Sequence, residues 1–185
     1  MKLTTKSMVL VALTVALTTA GAYIKIPVGP VPITLQTFFV LLSGAILGPA
    51  LGAASMTAYI ILGLVGLPVF AGGGGPQYIF SPTFGFLASF PFASAIVGLI
   101  IPRDVQELKF PRALAAMLFG TAVVYCAGLP FLAFYLNVLQ GKSLGLNALL
   151  MIGMFPFLPG DIAKIVIGAF MIPPLKRNLN LTRSL

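Results

Sequence analysis

Six apolar runs follow one another along the chain, at about residues 7–24, 33–47, 50–67, 83–101, 112–139 and 144–175, each closed by proline, glycine or a cation. About 20 apolar residues in helical form cross the roughly 30 Å hydrocarbon core of a bilayer. Inside that core each backbone N–H and C=O must be satisfied by protein, which makes runs of this kind helical. Charged residues are 8% of the chain and hydrophobic ones 59%, against about 25% and 45–50% in soluble domains. The expected fold is therefore an all-α membrane protein, a six-transmembrane-helix bundle in one domain over residues 1–185. The second run is short and the fifth long enough to project beyond the core. Pro156, Pro159 and Gly160 must break or kink the sixth. Lys2 and Lys6 ahead of the first run imitate a signal peptide, but with five runs following, a retained first helix is expected.

The cations choose an orientation, because cytoplasmic loops collect Lys and Arg. Lys2, Lys6, Arg103, Lys109, Arg112, Lys176, Arg177 and Arg183 fall at one end of the six runs, against Lys25 and Lys142 at the other. The expected topology is N-in, C-in. This distribution also accounts for the net charge of +8 through topology and anionic membrane lipid, so no nucleic-acid partner is implied. The single Cys126 excludes an internal disulfide, and the lack of His removes the commonest metal and acid–base schemes. There is no Ser/His or paired-Asp constellation, and Asp104 and Glu107 sit among Arg103, Lys109 and Arg112 as a solvated loop cluster. The chain does not read as an enzyme.

Two irregular apolar loops share the outer face, IPVGPVPIT at 26–34 and GLPVFAGGGGPQYIFSPTFGF at 66–86. Gly72, Gly73, Gly74 and Gly75 let the chain turn tightly and bring main-chain N–H groups close to a ligand. No Gly-Lys-Ser/Thr follows, so this is no phosphate loop. Phe70, Tyr78, Phe80, Phe84 and Phe86 surround the glycines, a composition suited to a pocket lid as well as to a flexible hairpin.

Asp161 and Lys164 lie in FPFLPGDIAKIVIGAF, 155–170. With Lys176 at the inner interface, helical rise puts Asp161 roughly 22 Å up the core, in its outer third. Residues 144–157 must then form a preceding bent, re-entrant or interfacial piece, with Pro159-Gly160 starting the last helix. One reading makes Asp161 a helix cap neutralised by Lys164 three residues on. The other makes the pair a polar site, since membrane-depth charges are costly and usually line one. A solute with N–H donors and an oxygen acceptor suits both groups. Gln36 adds an amide to the same cavity or bonds another helix. Ala12, Ala16 and Ala20 recur every four residues as a smooth stripe, suited to close packing within the chain or to docking on a second membrane protein.

ITLQTF at 33–38, LGLVGLPVFAGGGGP at 62–76, PTFGF at 82–86 and PFLPGDIAK at 156–164 together resemble the BioY family. These are the biotin-binding S components of energy-coupling factor (ECF) transporters, and the likeness runs through nearly the whole chain in order. It implies a single integral-membrane substrate-binding domain in the cytoplasmic membrane, capturing biotin near its outer end. Asp161 and Lys164 would hydrogen-bond the ureido ring, and the glycine-rich loop would close over the ligand. The alanine stripe would meet a transmembrane coupling subunit driven by two ABC-type ATPases. Biotin is then a transported ligand, and no cofactor is implied. Ser81, Phe84 and Phe86 depart from the commoner family pattern and bear on the loop. An S component for another vitamin, or a stand-alone facilitator or proton-coupled carrier titrating at Asp161, remains open on the residues themselves.

Overall fold

The protein is described here from a computed structural model covering residues 4–102 and 108–178. Asp104, Glu107 and the cations Lys2, Arg103 and Arg183 lie outside the described residues. Among the described residues eight α-helices form in chain order: α1 (Thr5–Tyr23), α2 (Gln36–Leu47), α3 (Pro49–Leu64), α4 (Phe84–Ala88), α5 (Phe90–Ile100), α6 (Phe110–Phe134), α7 (Leu146–Gly153) and α8 (Leu158–Asn178). A short hairpin also forms, β1 (Lys25–Ile26) against β2 (Ile33–Thr34), paired Lys25 to Thr34 and Ile26 to Ile33. A short 3-10 helix spans Pro76–Phe80.

By length and apolar composition, three stretches among the described residues are long enough to cross a membrane: Thr5–Tyr23, Phe110–Leu139 and Leu158–Arg177. The other apolar helices, Gln36–Leu47, Pro49–Leu64 and Phe84–Ile100, are shorter. The reasons are local. The second expected run starts at Gln36 because residues 33–34 are committed to the hairpin. The fourth divides at Ser89, where Pro91 cannot donate to the Leu87 carbonyl and Ser89 Oγ donates to the Phe86 carbonyl at 2.6 Å. In the fifth, Pro130 interrupts the ladder and the helix loosens into one π turn over Tyr135–Leu139. The sixth resolves into α7 and α8 joined by turns, the bent piece and final helix that Pro156, Pro159 and Gly160 foretell.

Helix α2 is the hub, packed on α1, α3, α5, α6 and α8. Its approach to α5 is close enough that a Cβ on Gly44 would overlap the Ser94 carbonyl, and Ser43 Oγ bonds Ser94 Oγ at 2.8 Å. Small residues at the contact let backbones meet where lipid offers no hydrophobic drive for association. Buried hydroxyls turn back on their own helices, Thr18 to the Thr14 carbonyl at 2.7 Å and Ser55 to the Gly52 carbonyl at 2.8 Å. The outside is apolar instead: Val9, Leu99, Phe119 and Phe170 are exposed, as a lipid-facing surface requires.

At one end Arg112 Nε donates to the Ile100 carbonyl at 2.9 Å and Lys176 Nζ to the Pro102 carbonyl at 2.6 Å. Two cations thus complete the C-terminal end of α5, where unpaired carbonyls favour positive charge. At the other end Val31 of the hairpin packs with Leu132, Leu136, Leu149 and Phe157 in a second apolar cluster. That cluster ties the hairpin to α6, α7 and the start of α8, and it fixes one wall of the cavity described next.

Candidate functional site

The amide of Asp161 donates to the Phe157 carbonyl at 2.8 Å, so this residue lies inside the first turn of α8 and is no cap. Its carboxylate is buried and aimed across the bundle. One oxygen, Oδ1, lies 2.5 Å from Lys164 Nζ; the other accepts from the Tyr125 hydroxyl of α6. Lys164 Nζ also donates to the Thr34 carbonyl at 3.1 Å and to Thr37 Oγ1 at 2.8 Å. An ammonium has three donors, and all three are engaged, by α8 itself, by β2 and by α2.

These groups line a cavity of about 70 Å³, several times the roughly 10–15 Å³ that one buried water needs on the same measure. Its walls are mostly apolar, with Val31, Phe86, Leu87, Phe90, Val124 and Phe157 beside the polar Gln36, Thr37, Thr83, Thr121 and Tyr125. A few directed polar groups in an apolar shell are the usual make-up of a small-molecule site. Gln36 does both things its sequence position suggests. It lines the cavity, and its Nε2 donates at 2.8 Å to the Tyr59 hydroxyl of α3.

The glycine loop covers the outer side. Gly73 exchanges backbone hydrogen bonds with Phe70, and Gly75 N–H donates to the Gly63 carbonyl at 2.7 Å. Gly73 and Gly75 adopt φ of +112° and +111°, which side chains rarely tolerate. Tyr23, Tyr59 and Lys25, from outside the loop, hold it by its carbonyls, Tyr23 to Pro68, Tyr59 to Val69 and Lys25 to Ala71, and Gln77 Nε2 donates within it to the Gly74 carbonyl at 2.9 Å. Tyr78 returns to line the cavity, its ring 4.6 Å from that of Phe70 and its hydroxyl accepting from Gly72 N–H at 3.3 Å. Ser81 joins this network through Thr83, with Oγ atoms 2.9 Å apart, and Phe86 sets its edge on Tyr125.

Asp161, Lys164, Gln36 and Tyr78 therefore meet in one cavity, whereas Gly72 and Gly74 line an adjoining outer cleft and, of residues 71–75, Ala71 lines the inner wall. Ala12, Ala16 and Ala20 lie elsewhere and are all exposed, on the side of α1 opposite Thr14 and Thr18. Tyr125 and Thr37 escaped the sequence reading. Thr37 stands beside Gln36 in ITLQTF and was legible there, but nothing local marks Tyr125 in the apolar α6.

A sequence profile of the BioY family matches residues 1–181. The chain belongs to the BioY family. Among BioY relatives, the probable biotin transporter BioY of Pyrococcus horikoshii is 40% identical over 174 residues, covering 94% of this chain and 98% of its own. The biotin transporter BioY of Thermotoga maritima is 37% identical over 163 residues, covering 88% of this chain and 90% of its own. The fold agrees: the crystal structure of the S-component for biotin from an ECF-type ABC transporter superposes with a TM-score of 0.79 at 27% identity, over 95% of each chain. Membership makes this BioY chain a membrane transporter component rather than an enzyme.

Proposed function

We propose that the chain captures biotin from outside the cytoplasmic membrane and delivers it as the S component of an ECF-type ABC transporter. The observation that carries this reading is the buried Asp161–Lys164 pair in a lidded apolar cavity, in a chain of the BioY family. A ureido head presents two N–H donors and one carbonyl. Asp161 accepts the N–H groups, Lys164 donates to the carbonyl, and Phe86, Phe90 and Phe157 flank the ring system. Because both charges are already saturated by Tyr125, Thr34 and Thr37, ligand entry exchanges hydrogen bonds rather than rescuing stranded ones. Selectivity then rests on fit to fixed groups.

The chain crosses the membrane six times with both termini inside, the shorter helices spanning with help from their neighbours. Having no Walker lysine motif, it takes its energy from a transmembrane coupling subunit and two ABC-type ATPases, met through Ala12, Ala16 and Ala20. The test is equilibrium binding of biotin to purified protein in detergent, with thiamine and riboflavin as controls. Wild type should bind biotin selectively, and Asp161→Asn and Lys164→Met should each lose it. Unchanged binding in both variants would make the pair structural; binding of a control vitamin in place of biotin would replace the substrate.

A further inference from the structure

Lys25 lines a cleft beside the inner cavity, and among the described residues no acid is bonded to it. Among the described residues Asp161 is the one acid, and its two oxygens are taken by Lys164 and Tyr125. Lys25 Nζ instead donates at 2.5 Å to a neutral acceptor, the Ala71 carbonyl of the glycine loop. An ammonium carries three donors, so most of its capacity is open to the cleft it lines.

That cleft is the outer neighbour of the inner cavity. Pro32, Ala71, Tyr78 and Thr83 line both, so the same residues border the Asp161–Lys164 end and the cleft that Lys25 lines. The hairpin fixes the spacing of the two lysines. Thr34, whose carbonyl receives Lys164 Nζ, is the strand partner of Lys25. An elongated ligand with an uncharged polar head in the inner cavity and an anionic tail passing Ala71 and Tyr78 would end at Lys25.

We propose that Lys25 receives the tail carboxylate of the ligand, which deepens the biotin reading and rests on it. The carboxylate takes the place of the Ala71 carbonyl on the ammonium. A hydrogen bond between two charged partners is roughly twice as strong as one to a neutral acceptor. One ligand thereby joins the hairpin, which carries Lys25, to the loop that covers the head. Neutralising Lys25 leaves the other two ties from outside the loop, Tyr23 to Pro68 and Tyr59 to Val69, in place.

The experiment compares biotin with biotin amide, whose head is identical and whose tail is uncharged, on wild type, Lys25→Gln and Lys25→Arg. Wild type should prefer biotin by about tenfold or more, or about 1.4 kcal/mol. Lys25→Gln should erase that preference by weakening biotin alone, with amide binding held as proof of an intact site, and Lys25→Arg should largely restore it. Equal losses for both ligands would make Lys25 a structural tie of the loop, and no loss for either would remove it from the site; each result overturns the assignment. If wild type binds both ligands equally tightly, the Lys25 role falls while the biotin reading stands. If wild type binds neither, both fall.

Discussion

A buried carboxylate needs a donor for each oxygen, and at Asp161 those donors come from different helices, Lys164 of α8 and Tyr125 of α6. Hydrogen bonds to charged groups contribute roughly 1.5–3 kcal/mol, so Tyr125→Phe should lower the thermal stability of the empty protein in detergent. With saturating biotin the deficit should shrink, since a ureido N–H then occupies the orphaned oxygen. A deficit of equal size with and without biotin would mean that the ligand does not reach Asp161. The contrast between these residues explains what was legible. Asp161 and Lys164 were conspicuous because charge is costly at membrane depth. A tyrosine is at home in an apolar helix, so Tyr125 gave no signal until α6 was folded against α8.

At the scale of the element, the four glycines of the loop are equal in sequence and unequal in structure. A Cβ on Gly74 would overlap the Leu67 carbonyl, which backbone cannot yield cheaply. A Cβ on Gly72 would meet the end of the Tyr78 side chain at 3.2 Å, a contact that a small ring movement relieves. Gly74→Ala should therefore weaken biotin binding and expose residues 66–75 to protease, whereas Gly72→Ala should stay close to wild type. Similar behaviour of the two variants would contradict this account of the lid. Hydropathy located the helices because apolar length is a local property. It overran at 33–35 and across Ser89, where strand pairing and a missing proline N–H decide the ends. The hairpin was beyond reach for a related reason: two residues per strand hold no periodicity to read.

Over the whole molecule, the inner site and the outer surface of α1 are separate structures. The buried side of α1 carries Ser7, Thr14 and Thr18, so the alanines at 12, 16 and 20 are not what packs this helix into the bundle. Sequence alone left internal packing and docking open because a stripe has no partner until the other helices are placed. Ala12 and Ala16 instead border a shallow groove whose far side is Leu51, Ala54, Ala58 and Leu62 of α3. Two helix backbones in lipid can approach closely along such small residues, and a branched side chain in the stripe holds them apart. Ala16 is exposed, so the added bulk of Ala16→Leu enters the open groove rather than the buried core. Biotin affinity of the purified variant should stay within about twofold of wild type, the range expected of a surface change. ATP-driven biotin uptake in cells that supply the coupling subunit and ATPases should fall severalfold or more, with a parallel loss of co-purification. Loss of biotin binding in Ala16→Leu would mean that α1 is coupled to the site through the bundle, and unchanged uptake would move the docking surface off α1 altogether.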